Sequence, residues 1–375
     1  MVKKLVVLFF FCLAIFILCL FVIPSVYGEI NQTAEVQSYA VLTRIPEDSW
    51  SFTGRTEASV SLKGQSGKNV KSELTIDAGL GESLSIDLSR AFIRVRFPLF
   101  RAALGKYRLS WGEGIFFNAG DILFGSTDLQ VDLQSDIFRT EGKWLGAVNI
   151  PLGSFSFTEG VFLPPMPDSE AELTGDLLLP KIYHTIIGGR IAGEIGPLSL
   201  ESGYIYNGKE DNHQAYFGLH TNLFFDIYSC GAVTIPAGTA EKEEIQESLR
   251  FSLGLFRLFY LPLDMTLSMR SEGILRPYQN WKPQEAGLLT DPALYGLLLY
   301  QDITFSPISS ISLLARILIS PIDLSALYAL GGDWNIYQGL HITSFLILQA
   351  GGPTDLFALD RTGSFAGTIG FRFVF

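Results

Sequence analysis

The sequence predicts an all-β fold, a transmembrane antiparallel up-and-down β-barrel of about eighteen strands. Three observations carry this reading. Apolar and polar residues alternate with a period of two along most of the 375-residue chain. No stretch of about 18 uncharged apolar residues follows Ile23, so membrane-spanning helices are excluded. The longer links between strand candidates all fall on one side of the sheet.

The first 28 residues stand apart from that pattern. Lys3 and Lys4 precede an apolar run from Leu5 to Ile23, Pro24 breaks it, and Val26-Tyr27-Gly28 supplies a cut site ahead of Glu29. This is the layout of a cleaved secretory signal peptide; the other reading is an uncleaved anchor, since the run is long enough to span. Cys19 follows the bulky Leu18, which disfavours lipid attachment. The remainder, 29–375, reads as a single barrel domain. The net charge of −11 becomes more negative once Lys3 and Lys4 leave, and Cys230 remains as the lone cysteine, unable to form an internal disulfide.

Strand candidates lie near 36–45, 50–62, 70–79, 84–96, 101–112, 143–150, 154–163, 184–195, 198–207, 213–222, 225–236, 247–260, 264–275, 294–305, 311–320, 324–336, 338–350 and 363–375. At the C-terminus, Phe365, Gly367, Ile369, Phe371, Phe373 and Phe375 share one face, and Ser364, Ala366, Thr368, Gly370 and Arg372 share the other. Leu74, Ile76, Ala78 and Leu80 alternate with Glu73, Thr75 and Asp77, and Leu249, Phe251, Leu253 and Leu255 with Arg250, Ser252 and Gly254. Such strands separate lipid from water, because successive side chains point to opposite faces. Leu84, Ile86 and Leu88 have the opposite parity to Ile93 and Val95, which predicts a bulge near Ser89-Arg90.

The longer links, 113–142, 164–183, 237–246, 276–293 and 351–362, all fall on one side under this count. Tight links such as Gly196-Pro197 and Leu261-Pro262-Leu263 fall on the other. Outer-membrane barrels sort long loops and short turns in this way. Sixteen strands fit as well if 36–45 and 50–62 are misread. Unpaired backbone groups in lipid cost several kcal/mol each, so the sheet must close. A barrel of sixteen to eighteen strands is too wide for side chains alone to fill.

Two stretches resemble known families. Thr368-Ile369-Gly370-Phe371-Arg372-Phe373-Val374-Phe375 resembles the C-terminal assembly signal of bacterial outer-membrane barrels, through Thr368, Gly370, Phe373 and Phe375. The resemblance implies recognition by the barrel-assembly machinery. Gly105-Lys106-Tyr107-Arg108-Leu109-Ser110-Trp111-Gly112, followed by Asn118-Ala119-Gly120-Asp121, is similar to porin-like barrel families of largely unassigned function. In these a strand G-(K/R)-x-x-(I/L)-S-W-G leads into a loop with N-P-x-D, and here Ala119 replaces the proline. This resemblance covers about a tenth of the chain and bears on fold more than on substrate.

Function is read from the inward face. With Ile93 and Val95 toward lipid, Arg94, Arg96, Lys106 and Arg108 are expected to line the lumen, since a charge near the lipid midplane costs about 2–4 kcal/mol. The long link that follows carries Asp121, Asp128, Asp132, Asp136 and Glu141. Two placements are open for it. It folds into the lumen and opposes the basic wall, giving a transverse field that sets ion preference, or it sits outside in solvent.

No catalytic, cofactor-binding or metal site is expected. His184, His213, His220 and His341 lack a nucleophile motif and, with Cys230, lack metal-ligand spacing. Gly112-Glu113-Gly114 lacks the helix of a phosphate loop, and the charge balance argues against nucleic acid. The expected function is a porin-like channel in the bacterial outer membrane for passive diffusion of small hydrophilic solutes. Its partners would be membrane lipid, the assembly machinery and small polar solutes, with a homo-oligomer left open. The rivals are an adhesin or receptor acting through 164–183 and 276–293, where Tyr278 and Trp281 stand, a hydrolase at the barrel rim, and a transporter of hydrophobic solutes.

Overall fold

A computed structural model describes residues 29–45, 49–81, 83–125, 142–165, 182–239, 241–283, 295–352, 355–357 and 365–375. Eighteen strands follow one another in a closed antiparallel sheet: β1 (Glu29–Ile45), β2 (Ser49–Ser66), β3 (Val70–Leu80), β4 (Leu84–Arg96), β5 (Arg101–Tyr107), β6 (Lys143–Pro151), β7 (Ser156–Leu163), β8 (Ile186–Ile195), β9 (Leu198–Asn207), β10 (Asn212–Asn222), β11 (Asp226–Pro236), β12 (Arg250–Tyr260), β13 (Thr266–Leu275), β14 (Leu297–Ile308), β15 (Ile311–Ser320), β16 (Ser325–Tyr337), β17 (Leu340–Ala350) and β18 (Phe365–Val374). Each strand pairs with its sequence neighbours, and β1 pairs with β18, so no edge is left open. Among the described residues one short α-helix, α1 (Lys242–Glu247), precedes β12.

The seam runs in register from Glu35 opposite Val374 to Arg44 opposite Phe365, and the backbones of Ala34 and Phe375 exchange hydrogen bonds below it. Gly370 lies opposite Tyr39, and a Cβ on it would come within 2.9 Å of the Tyr39 Cβ. That position admits glycine because the neighbouring strand fills the space.

The alternation sorts side chains as expected. Leu74, Ile76, Ile191, Leu253, Leu255, Leu330, Ile369 and Phe371 lie exposed on the outer face. Large exposed aromatics stand near both ends of the wall, with Trp50, Phe52 and Trp144 at the loop end and Phe155, Phe224 and Tyr260 at the turn end. An apolar band between two such girdles is the exterior that lipid requires.

The predicted bulge is present. Thr75 pairs with Arg90 and Ile76 with Leu88, which leaves Ser89 unpaired and switches the lipid-facing parity from Leu84 and Ile86 to Ile93. The five longer links join odd to even strands, and the turns joining even to odd strands stay short, as expected. Eighteen strands replace the alternative of sixteen, because β1 and β2 pair along their whole length.

Several boundaries differ from expectation, β2 running on to Ser66 and β12 starting only at Arg250 among them. β1 begins seven residues before the predicted start. β14 runs to Ile308, carried past Pro307 by a register shift after Phe305. β5 ends at Tyr107 instead of continuing to 112, for a reason found inside the barrel.

Candidate functional site: the barrel interior

After Tyr107 the chain leaves the wall and crosses the lumen. Gly112 and Gly114, at φ +71 and +124, permit the turns that aim it inward. The segment touches walls far apart in the sheet, which places it inside. The Trp111 indole N–H donates to Glu159 on β7 at 3.1 Å, the Glu113 amide lies 3.5 Å from Cys230 Sγ on β11, and the Ala119 amide donates to the Ser252 hydroxyl on β12 at 3.0 Å. The Phe116 ring stacks on Tyr300 of β14 with centroids 4.2 Å apart.

The strongest anchor is Glu272 on β13. Its carboxylate accepts the amides of Ile115, Phe116 and Phe117 at 2.9, 2.8 and 2.7 Å, and the Tyr228 hydroxyl at 2.6 Å. Three successive backbone N–H groups converging on one charged acceptor solve the problem that any buried irregular segment poses, since its donors have no ladder to join. Asn118 bonds the Trp111 carbonyl through its side-chain amide and accepts from the Gly120 amide, bracing the turn from within.

Two apolar clusters form around this segment. The first joins Trp111, Ala119, Ile122 and Leu123 to Leu145, Val161, Ile205, Tyr216 and Cys230. The second joins Phe116 and Phe117 to Ile274, Tyr295, Leu298, Tyr300, Leu318 and Phe357, the last from the β17–β18 link. Asp323, in the turn before β16, holds that link by accepting from the Leu356 amide at 2.8 Å. Burial alone would raise the Asp323 carboxyl; hydrogen bonds from Leu356, Ser320 and Ser325 outweigh it and hold the group below its ordinary range. The buried members of both clusters come from the crossing segment, from β5–β7, β9–β11 and β13–β16, and from the β17–β18 link.

The interior is therefore divided. One half is packed. The other, along β1–β4, presents an inward polar face that includes Arg55, Glu57, Lys63, Lys71, Arg94 and Arg96.

The expected site residues distribute unevenly over these halves. Arg94 and Arg96 share the inward face of β4 and are exposed, with Arg94 5.6 Å from the Phe92 ring centroid. Lys106 departs from their row: it lies in register with Ala91 and Trp144, on the face of Leu104, and its ammonium reaches Asp87 at 3.3 Å. The strand alternates there without a break, Gly105 and Tyr107 being buried on one face and Lys106 falling with Leu104 on the other. Arg108 has left the strand and pairs with Asp121 at 2.5 Å inside the crossing segment.

The imagined opposition of acidic link and basic wall thus takes another form in the described residues. Asp121 is neutralised within its own segment, and the wall's carboxylates hold the segment's backbone. Asp128, Asp132, Asp136 and Glu141 lie outside the described residues, as do 1–28, 166–181 and 284–294. At the C-terminus, Thr368 and Gly370 face inward, while Phe373 and Phe375 stand exposed outside.

Sequence reasoning missed Glu159, Arg190, Glu201, Ser252 and Glu272. Arg190 bridges Glu159 at 2.9 Å and Glu201 at 3.2 Å beneath Trp111. The available signal was a carboxylate of inward parity halfway along an otherwise small or apolar strand face.

No protein-family model and no curated protein matches the chain. Solved structures do. Wzi of Escherichia coli, an outer-membrane protein involved in group 1 capsule assembly and a carbohydrate-binding β-barrel, aligns with a TM-score of 0.57 at 12% identity, over 90% of this chain and 83% of its own. OccAB4 of Acinetobacter baumannii aligns at 0.54 and 8% identity, over 94% and 100%. OccD3 (OpdP) of Pseudomonas aeruginosa aligns at 0.52 and 9% identity, over 92% and 91%. With its closed eighteen-strand sheet and apolar outer band, the chain has the fold of the bacterial outer-membrane β-barrels.

Proposed function

We propose that this protein is a pore of the bacterial outer membrane that admits small hydrophilic solutes by passive diffusion. One observation carries the reading: the crossing segment is packed against the walls of β5–β7, β9–β11 and β13–β16 and leaves a mostly polar, partly exposed inward face along β1–β4. A barrel this wide needs an internal element to narrow it, and a segment fixed to the wall narrows without sealing. An apolar-solute carrier would need apolar side chains on that face. An adhesin would act through outer loops, and the most prominent of these fall outside the described residues.

In this reading residues 1–28 direct export, Thr368, Gly370, Phe373 and Phe375 present the C-terminal strand to the assembly machinery, and the short turns face the periplasm. Liposome swelling with sugars of graded size tests the pore. Uptake that falls with solute size supports it. A folded barrel that admits no sugar overturns it.

A further inference from the structure

The turn end of the open half carries a charge arrangement that folding alone does not explain. Register sets Lys71 opposite Arg94 across β3 and β4, and Arg96 opposite Arg101 across β4 and β5. All four share the inward parity, against Ile93 and Leu104 outside, and all four are exposed. Like charges directly opposed in an antiparallel ladder are destabilising. Here two such pairs adjoin on three neighbouring strands.

Elsewhere several inward cations of this barrel are paired with carboxylates. Arg190 has Glu159 and Glu201, Arg316 has Asp302 and Arg108 has Asp121. The opposed acids Asp77 and Asp87 have Lys106 on Asp87. Among the described residues no carboxylate pairs with Lys71, Arg94, Arg96 or Arg101, and the inward acid beside them, Glu73, is taken by Arg90 at 3.2 Å. Acids are not scarce, at 38 against 27 Lys and Arg. The uncompensated cluster is a choice of position.

We infer that the turn-side mouth of the lumen holds an anion site formed by Lys71, Arg94, Arg96 and Arg101, suited to a compact solute with two or more negative groups, such as a diphosphate or a dicarboxylate. Facing side chains in a ladder lie about 5 Å apart, so the four charges fall within the span of such a solute. Guanidinium groups bind phosphate and carboxylate oxygens in pairs, and the low-dielectric walls of a mouth concentrate the field. This rests on the pore reading for its access from the lumen, while binding itself is measurable without transport.

The probe is inorganic pyrophosphate, titrated calorimetrically into the folded, detergent-solubilised full chain. Saturable binding is expected, weakened about tenfold or more by Arg94→Gln with Arg96→Gln, a change equivalent to about 1.4 kcal/mol. Recovery is expected in Arg96→Lys, and no change in Arg55→Gln, whose charge already meets Glu57 at 2.5 Å. Equal affinity in wild type and the double variant, or equal loss in Arg55→Gln, overturns the site. Pyrophosphate binding without sugar uptake keeps the site and removes the pore; uptake without binding does the reverse.

Discussion

Replacing Glu272 by alanine should release the crossing segment while leaving the barrel closed. The carboxylate accepts three amides of that segment, at 2.7 to 2.9 Å, and bonds nothing that holds one strand to the next beyond the Tyr228 hydroxyl. Hydrogen bonds to a charged group contribute about 1.5–3 kcal/mol each, so three amount to roughly 4.5–9 kcal/mol. Water entering the vacated space returns part of that, and a loss of about 3 kcal/mol is a conservative expectation. At about 1.4 kcal/mol per tenfold, local opening becomes more than about 100-fold more frequent.

Cys230 reports the opening. Its thiol is 1% exposed, and a Cβ on Gly112 or Gly120 would lie 3.1 or 3.2 Å from its sulfur, so the segment covers it. Maleimide labelling of Cys230, located by peptide mapping to separate it from Cys12 and Cys19, should accelerate by that factor in Glu272→Ala. The unheated protein should keep its folded gel mobility. A labelling rate within about twofold of wild type would refute the claim that Glu272 holds the segment down.

Two further outcomes follow from the same geometry. The Asp323 carboxyl is held below its ordinary range, so its contribution is complete above the ordinary aspartate value of about 3.9 and is lost as pH falls through the lowered folded value; the protection of the Leu356 amide against hydrogen exchange, taken relative to the intrinsic rate at each pH, should fall in acid, and already at neutral pH in Asp323→Ala. Gly370→Ala forces a methyl toward Tyr39 and the Ser38 carbonyl at the seam, an overpacking that costs about 1–3 kcal/mol, and should lower the urea midpoint of the barrel reconstituted in vesicles.

The wall was legible in the sequence because lipid on one side and water on the other impose a period of two that no other pressure erases. Even the bulge at Ser89 could be read, since Leu88 and Ile93 cannot both face lipid on an unbroken strand. The interior was less legible. The link after β5 was weighed by its carboxylates, whereas its aromatics decide its place: Trp111, Phe116 and Phe117 would be costly in solvent and are buried. The partners that bury them, Glu159, Cys230 and Glu272, stand far along the chain, and only closure of the sheet brings them to one segment. Lys106 lies off the expected row because β5 keeps its alternation, which puts Lys106 on the face of Leu104.

Spin labels placed one at a time along β2, at Arg55, Thr56, Glu57, Ala58, Ser59 and Val60, measure which medium each side chain meets. In reconstituted vesicles, Thr56, Ala58 and Val60 should be quenched by oxygen, which partitions into lipid. Arg55, Glu57 and Ser59 should be quenched by a water-soluble nickel chelate, the two profiles running out of phase with a period of two. Profiles in phase, or uniform access of the chelate to all six positions, would contradict a wall with hydrocarbon outside and a hydrated half-lumen within.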